Sequence, residues 1–305
     1  MGTLVKITVY ANGEDDARRA FRAGFERIGE LDAILSDYKQ DSELSRITGV
    51  AVGTPLPVSR DLYTVLEAAQ QLSDATAGAF DITQGPVIRL WREARRSQQV
   101  PAADALREAA SRTGYKKLHL DRGRHTVTVD QQGMALDVGG IAKGFAASEA
   151  LAAISSRGVR SAMVAISGDL AFSNAPPGAR GWRVSVHDLP GEHAVPRVLD
   201  LTNAAVSTAG AAEQHLDAGG RRYSHIVDPA TGMGLTEGLT VTVVARNGLA
   251  ADGLDTAMSV LGVERGLALI DGRADAVALI VRRTTAGDKV LPSARFRSFI
   301  REVSR

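Results

Sequence analysis

Hydrophobic positions alternate with polar ones at the start of the chain and then recur at helical spacing. Segment 3–10 (TLVKITVY) has a period of two, which predicts a half-buried strand. From Glu14 to Leu35, apolar residues recur three or four positions apart, which predicts one amphipathic helix. Ser59 precedes another helical pattern, and its hydroxyl is suited to accept a backbone N–H of the first turn.

Strands and helices follow one another without regular β-α-β alternation. Further strands are predicted at 118–120, 125–129, 162–166, 182–187, 198–201, 205–208, 239–245 and 276–281, and further helices at 101–113, 147–157, 250–261 and 263–270. This order predicts an α+β fold of mixed sheets with packed helices. No repeat or long linker interrupts it, so we expect a single domain over residues 1–305, built as two intimately packed lobes.

Composition and charge remove several classes of function. The 305 residues include 36 Lys plus Arg and 35 Asp plus Glu, and a net charge of +1 gives no electrostatic case for nucleic acid. The absence of cysteine removes disulfides and thiolate metal sites. No apolar run is long enough for a transmembrane segment, and no signal peptide is expected in the chain as given.

A glycine-rich stretch, DVGGIAKG at 137–144, separates a predicted strand at 134–136 from a helical pattern. Free backbone N–H groups at the start of a helix suit phosphate oxygens, and Lys143 adds a mobile positive charge. Asp137 is suited to accept a hydrogen bond from a hydroxyl or amine, or to help hold a cation. A tight turn with a solvated lysine has the same pattern, so both interpretations stay open.

The segment SHIVDPATG at 224–232 contains a histidine beside a sharp turn. His225 is suited to act as a base or to donate to a phosphate. The alternative, which the segment alone favours, is a structural histidine next to a turn that Asp228 caps.

Two carboxylates and a hydroxyl in ADGLDT at 251–256 are spaced i, i+3 and i+4. Asp252, Asp255 and Thr256 therefore share one side of a predicted first helical turn, and such hard oxygen ligands suit Mg²⁺. Acidic residues in a first helical turn are also favoured by capping and the helix dipole, so this alternative stays open.

Two aromatic residues could contact a heterocyclic ring. Phe80, with Asp81 beside it, could stack on and hydrogen-bond such a ring, although an apolar staple and a cap explain the pair in isolation. Tyr38 could cover a ring, or could pack where its helix ends.

Taken in order, several of these motifs resemble those of the FAD:protein FMN transferases, the ApbE-type flavin transferases. The matching stretches are MGT (1–3), Tyr38 with DSELS (41–45), GAFD (78–81), DVGGIAKG (137–144), SGD (167–169), SHIVDPATG (224–232) and ADGLDT (251–256). The chain departs from the family pattern at Thr48, Ser167 and Met233-Gly234. The Thr48 departure leaves open whether FMN goes to a protein or to water.

The resemblance implies an ApbE-like flavin transferase fold and a Mg²⁺-dependent enzyme that transfers FMN from FAD onto a Ser or Thr hydroxyl of an acceptor protein and releases AMP. The residues that would hold FAD are Met1, Tyr38, Ala79, Phe80, Asp81, Asp137, Lys143, His225 and Ile226. The residues that would hold the metal are Gly140, through its carbonyl, Asp252, Asp255 and Thr256. Asp252→Ala is expected to abolish Mg²⁺-dependent turnover with the fold intact.

The chemistry of these residues suits them to roles in the reaction that the resemblance implies. Lys143 would neutralise charge on the pyrophosphate, His225 would accept the proton of the incoming hydroxyl, and Asp228 would orient His225 or fix its turn. An acidic metal ligand could serve as the base instead of His225. Two alternatives are an FAD pyrophosphatase that yields FMN and AMP, and a non-catalytic FAD-binding protein. The family is bacterial and often works in the periplasm or on the outer face of the inner membrane, which suggests an acceptor such as a membrane redox subunit.

Overall fold

The computed structural model describes residues 3–186, 197–210, 214–284 and 286–303. The helices are α1 (Glu14–Leu35), α2 (Glu43–Arg46), α3 (Arg60–Ala75), α4 (Gly85–Ser97), α5 (Ala103–Ser111), α6 (Ala142–Ser155), α7 (Gly248–Asp271) and α8 (Phe296–Glu302), with 3₁₀ turns at Ile47–Gly49 and Tyr115–Lys117. The strands are β1 (Val5–Tyr10), β2 (Leu56–Pro57), β3 (Leu118–Asp121), β4 (Thr126–Val129), β5 (Ser161–Ile166), β6 (Asp169–Phe172), β7 (Trp182–Val186), β8 (Arg197–Leu201), β9 (Ala204–Gly210), β10 (His215–Ala218), β11 (Arg221–Ser224), β12 (Leu239–Ala245), β13 (Ala276–Thr284) and β14 (Gly287–Pro292). Contacts between residues divide the chain into two compact units: unit 1 comprises Met1–Glu30, Ile141–Gly210 and Gly238–Arg305, and unit 2 comprises Leu31–Gly140 and Ala211–Glu237.

Unit 1 is built on a seven-stranded antiparallel sheet in the order β1-β5-β6-β9-β12-β13-β14. Helices α6 and α7 pack against each other and against strands of this sheet. Every residue of β12 is buried, which explains its apolar and threonine-rich sequence. A separate apolar cluster joins the β7–β8 hairpin and α8 to the sheet through Phe172, Trp182 and Phe299.

Unit 2 combines helices α3 to α5 with two small antiparallel sheets, β2-β4-β3 and β10-β11. Its core includes Trp91, which packs with Val87 on α4, Leu106 on α5 and Val227. The Trp91 indole N–H donates to the carbonyl of Gly232 at 2.8 Å, so the buried ring keeps its hydrogen bond. This bond ties the turn after Asp228 to α4.

The predicted α+β class is confirmed, and so are several elements. The helix Glu14–Leu35 has the predicted bounds. Ser59 caps α3 as predicted, because its hydroxyl accepts the N–H of Leu62 at 3.3 Å. The break predicted after residue 261 is present within α7, where Gly262 has φ +74° and interrupts the helical geometry. The single domain predicted over residues 1–305 stays a prediction.

Two predicted helix starts and one predicted strand are wrong. The helix expected to begin at Pro101 begins at Ala103, with Ala102 as its extended N-cap. The segment 134–136 is not a strand but contributes one isolated bridge, between Ala135 and Gln84. Helix α6 begins at Ala142, not at residue 147, so Lys143 and Gly144 belong to its first turn.

In the ranges that the structure describes, no helix is both long enough and apolar enough to cross a membrane.

Candidate active site

The first turns of α6 and α7 meet at two glycines of unit 1. A Cβ atom on Gly144 would lie 2.1 Å from the carbonyl oxygen of Gly248, and a Cβ on Gly248 would lie 2.0 Å from the carbonyl oxygen of Gly144. Only glycine fits at either position without moving the backbone. The close approach brings Lys143, next to Gly144, to the beginning of α7.

Asp252 on α7 caps the start of α6. Its Oδ2 accepts the N–H of Gly144 at 2.9 Å, while the N-cap residue of α6, Ile141, makes no side-chain hydrogen bond. The carboxylate thus satisfies one of the free N–H groups of the helix start.

The helix α7 has its own cap, Asn247, whose Oδ1 accepts the N–H of Ala250 at 2.9 Å. Because α7 begins at Gly248, Asp252 and Asp255 lie beyond its first turn. The expectation that they share the first helical turn is therefore wrong, and capping of their own helix does not explain them. Both are 2% exposed, so they are also not solvated surface carboxylates.

A lysine ammonium connects two buried carboxylates beside this junction. Lys143 Nζ lies 2.5 Å from Asp169 Oδ2 and 3.4 Å from Asp252 Oδ1. Asp169 is 2% exposed and begins β6. The three side chains form a charged cluster in which one cation faces two anions.

Ser207 on β9 extends the cluster to a third carboxylate. Its hydroxyl donates to Asp169 Oδ1 and also lies 2.5 Å from Asp255 Oδ2. On the other side, Thr256 Oγ1 donates to Asp255 Oδ1 at 3.2 Å. The carboxylates of Asp169, Asp252 and Asp255 are therefore joined by one ammonium and one hydroxyl.

Burial and mutual repulsion disfavour full ionisation of these carboxyl groups. Burial, followed by the charge of Asp169, raises the pKa of Asp252 to about 7, against the opposing effect of Lys143. Burial and the charges of Asp252 and Asp169 raise the pKa of Asp255 well above its usual range. Burial alone would lower the pKa of Lys143, but Asp252 and Asp169 outweigh it and raise the pKa, so the ammonium stays charged.

The donor set fits a divalent cation in charge and chemistry. Three carboxyl groups face one ammonium, so a bound divalent cation would balance the negative charge that they carry when ionised. Carboxylate and hydroxyl oxygens are the ligands that Mg²⁺ prefers. In the described ranges no three His, Asp or Glu side chains converge as a ready-made metal site. Within this cluster the carboxylates instead meet Lys143 and Ser207. Of the predicted ligands, Asp252, Asp255 and Thr256 lie on α7, and Gly140 lies in the turn at the end of its unit 2 segment.

The raised pKa of Asp252 predicts how the stability of the metal-free protein depends on pH. Between the usual pKa of 3.8 and about 7, the unfolded state binds fewer protons at this residue than the folded state, so this residue makes the free energy of unfolding fall as pH rises. We expect Asp252→Asn to gain Tm relative to wild type on going from about pH 5 to about pH 8, as measured by scanning calorimetry. A Tm difference independent of pH would contradict the assignment, and added MgCl₂ should raise the wild-type Tm more at the higher pH.

A second charged group lies in unit 2 around Asp137. Its Oδ1 accepts the N–H of Gly139 at 2.8 Å, and its Oδ2 lies 2.6 Å from Arg92 Nη2. The other end of the Arg92 guanidinium donates to Asp37, and its centre lies 4.4 Å from the centroid of the Tyr38 ring. Arg92 on α4 thus connects three residues of unit 2.

The charges in this group are set by burial and by Arg92. Burial raises the pKa of Asp137 above its usual value, although Arg92 opposes the shift. Burial alone would lower the pKa of Arg92, but Asp137 and Asp37 outweigh it, and the pKa rises. The guanidinium is therefore held between two carboxylates in its charged form.

Asp81 is held by its own loop and by the 3₁₀ turn Tyr115–Lys117. Its Oδ1 accepts the N–H and the hydroxyl of Thr83 at 2.8 and 2.6 Å, and its Oδ2 accepts the N–H of Tyr115 at 3.1 Å. Burial raises its pKa, and these hydrogen bonds oppose the shift. Phe80 is buried and Ala79 half-buried, but Asp81 does not cap α4, whose N-cap residue is Gln84 and makes no side-chain hydrogen bond.

His225 and Asp228 have different surroundings within unit 2. His225 Nδ1 lies 3.2 Å from the carbonyl oxygen of Gln214, and Ile226 beside it is buried. Asp228 accepts from the N–H of Ala230 at 2.9 Å and from the hydroxyl of Thr231 at 3.0 Å. These contacts of Asp228 fix the turn, which is one of its two predicted roles.

The predicted residues thus fall into separate groups. Lys143, Asp252, Asp255 and Thr256 come together in unit 1, while Tyr38 and Asp137 are joined through Arg92 in unit 2. Met1 lies outside the described residues. The sequence motifs indicate no role for Asp169, Ser207, Asp37 or Arg92. Asp169 belongs to the SGD stretch (167–169) that matches the family pattern, and this match was a signal that could have found it.

Comparison with known proteins agrees with this geometry. The ApbE family model matches residues 1–281. An FAD:protein FMN transferase of Klebsiella pneumoniae is 32% identical, and the match covers 98% of this chain and 87% of the relative. An FAD:protein FMN transferase of Treponema pallidum is also 32% identical, and the match covers 88% of this chain and 79% of the relative. The solved structure of the flavin transferase ApbE from Vibrio cholerae has a TM-score of 0.89 at 30% identity, covering 98% of this chain and 96% of that chain. The chain therefore belongs to the ApbE family.

Proposed function

We propose that this protein transfers FMN from FAD to a Ser or Thr hydroxyl of an acceptor protein, releases AMP, and uses Mg²⁺. The observation that carries the proposal is the buried cluster of Lys143, Asp169, Asp252 and Asp255 at the start of α6. Relatives that match nearly the whole chain are FAD:protein FMN transferases. The cluster supplies the cation and the hard oxygen ligands that cleavage of a pyrophosphate needs.

The reaction replaces a phosphoanhydride bond with a phosphoester bond. The acceptor oxygen forms a bond to the phosphorus of the FMN half, and the bond from that phosphorus to the bridging oxygen breaks. The electron pair of the broken bond leaves with AMP, and the hydroxyl proton passes to a base. Such a transfer depends mainly on positioning and on neutralising the phosphate oxygens.

Lys143 and the start of α6 would stabilise negative charge on the pyrophosphate. The ammonium stays charged in its buried surroundings, as its raised pKa requires. Asp252, Asp255, Thr256 and the carbonyl of Gly140 would hold Mg²⁺, which when bound would supply further charge neutralisation at the phosphate oxygens.

His225 would accept the hydroxyl proton through Nε2. The carbonyl of Gln214 can only accept, so its contact with Nδ1 at 3.2 Å favours the tautomer that carries the proton on Nδ1. This tautomer leaves the lone pair on Nε2. Asp228 would keep the turn after His225 in place.

FAD itself would be held by a wider set of side chains. These are Met1, Tyr38, Ala79, Phe80, Asp81, Asp137, Lys143, His225 and Ile226. Tyr38 is suited to stack on a ring of FAD, since the residue is 71% exposed. The acceptor would be a protein with a Ser or Thr flavinylation site, such as a membrane redox subunit.

The test is incubation with FAD and MgCl₂, with and without a candidate acceptor. AMP is measured by chromatography and covalent flavin by in-gel fluorescence and mass. Acceptor-dependent AMP release together with an FMN mass increase on the acceptor is expected. AMP with free FMN in the absence of acceptor would favour a pyrophosphatase, and no AMP under either condition would leave an FAD-binding protein.

We expect Lys143→Met to lower the transfer rate about a hundredfold or more, because a charge aimed at the reacting phosphate is lost. The rate is measured by AMP release at saturating FAD, and Mg²⁺-dependent Tm shifts report whether the carboxylates still respond to a cation. Lys6→Met, which removes an exposed lysine from β1, is the matched control and should keep the wild-type rate. A wild-type rate in Lys143→Met would show that this lysine has only a structural role.

A further inference from the structure

The resemblance assigns no function to Arg92, although this residue contacts two residues that would hold FAD. The guanidinium centre lies 4.4 Å from the Tyr38 ring centroid, and Nη2 lies 2.6 Å from Asp137 Oδ2. Its side chain is 20% exposed, whereas Tyr38 is 71% exposed. One face of the tyrosine ring is therefore supported by the arginine, and the residue as a whole remains open to solvent.

We propose that Arg92 is a positioning residue for FAD, which holds the Tyr38 ring and the Asp137 carboxylate in the arrangement that receives a heterocyclic ring of the dinucleotide. The inference rests on the proposed function for the identity of the ligand. A planar guanidinium can stack on an aromatic ring and bond two carboxylates at the same time, which an ammonium cannot do. Arg92 does both, because its other end donates to Asp37.

The positive charge of Arg92 is already neutralised within the protein. Its two carboxylate partners, Asp37 and Asp137, are 20% and 6% exposed, and they neutralise its positive charge. A direct bond from Arg92 to a phosphate of FAD would have to compete with both. The geometry therefore favours action through Tyr38 and Asp137 over contact with the phosphates.

Support of this kind lowers the cost of ordering the tyrosine ring before the ligand arrives. A ring that is already held by a guanidinium loses less freedom on stacking than one that rotates in solvent. The expected consequence is an effect on FAD affinity and KM, with little effect on kcat once FAD is bound.

The test is a double-mutant cycle on FAD affinity, with Arg92→Met, Tyr38→Leu and the double variant, measured by calorimetry without acceptor. We expect Arg92→Met to weaken FAD binding about tenfold, and to have a smaller effect in the Tyr38→Leu background, where only its carboxylate contacts are lost. KM for FAD should rise in parallel, with kcat within about threefold of wild type. Arg96→Met is the matched control, since Arg96 lies on the same helix, is 75% exposed, and pairs with Glu93.

Arg92→Met leaves the buried carboxylate of Asp137 without its cation, so a second variant guards against loss of folding. Arg92→Lys keeps the positive charge but not the planar fork, and we expect a folded protein with FAD affinity between those of wild type and Arg92→Met. Unchanged FAD affinity in a folded Arg92→Lys or Arg92→Met variant would overturn the proposal. So would a loss of FAD affinity on Arg92→Met that is the same in the wild-type and Tyr38→Leu backgrounds. FAD affinity is measured without any transfer reaction, so it tests the role of Arg92 alone. AMP release by the wild type tests the proposed function, so failure of one can be distinguished from failure of the other.

Discussion

Asp252→Asn is expected to lower FMN transfer by about a thousandfold while the protein remains folded. The substitution removes a negative charge from the carboxyl cluster but keeps the shape of the side chain. Its amide oxygen can still accept the N–H of Gly144, which Asp252 Oδ2 now accepts at 2.9 Å. As a proposed Mg²⁺ ligand, Asp252 would contribute several kcal/mol of charge stabilisation to the reaction, and the variant would lose it while the cap on α6 is preserved.

The structure changes which substitution is informative here. The sequence predicted that Asp252→Ala would abolish turnover with the fold intact, but alanine would also remove the cap of α6 and one partner of Lys143. Loss of the cap alone costs about 1 kcal/mol of stability. Asparagine separates the chemical role from the structural one, and alanine does not.

The measurement is AMP release at saturating FAD over a series of MgCl₂ concentrations, with Tm recorded for each variant. Glu264→Gln is the matched control, because it removes an exposed carboxylate from the same helix. Asp252→Asn should show no Mg²⁺-dependent rise in Tm. A variant with the wild-type rate and the wild-type response to Mg²⁺ would refute the assignment of Asp252 as a metal ligand.

Gly144→Ala is expected to destabilise the protein by about 3 kcal/mol or more. The new methyl group would lie 2.1 Å from the carbonyl oxygen of Gly248 and 2.7 Å from Asp252 Cβ. These neighbours are a backbone oxygen and a buried side chain, so relief requires α6 and α7 to move apart. That movement would also draw Lys143 away from Asp252, and transfer activity should fall with stability.

Gly29→Ala is the matched control for this prediction. Gly29 also lies within a helix, α1, and nothing lies within 4 Å of a Cβ added there. Alanine at an exposed helical position should stabilise the protein by about 0.5 to 1 kcal/mol. Urea unfolding monitored by circular dichroism gives both free energies, and equal effects of the two substitutions would contradict the role given to the glycine contact.

The local pattern of the sequence was sufficient to predict many helices and strands, and to predict the types of residue in the candidate active site. The helix Glu14–Leu35 follows from periodicity, because it buries residues at a spacing that only a helix provides. The strand Leu239–Ala245 follows from its alternating Thr and Val residues, which favour strands, although all of its residues are buried. Asp252, Asp255 and Thr256 were recognised as hard oxygen ligands by their type and spacing. Their place in the helix was misjudged, since the start of α7 depends on Asn247 and on the contact between two glycines.

The sequence by itself determined the α+β class, the residues suited to a pyrophosphate and a cation, and the family that their order resembles. Only the tertiary structure decided that Asp169 and Ser207 join Lys143 and the carboxylates of α7, and that Arg92 joins Tyr38 to Asp137. The physical reason is distance along the chain. Lys143 and Asp252 are 109 positions apart, and their contact depends on two helices approaching at Gly144 and Gly248, which no local periodicity encodes.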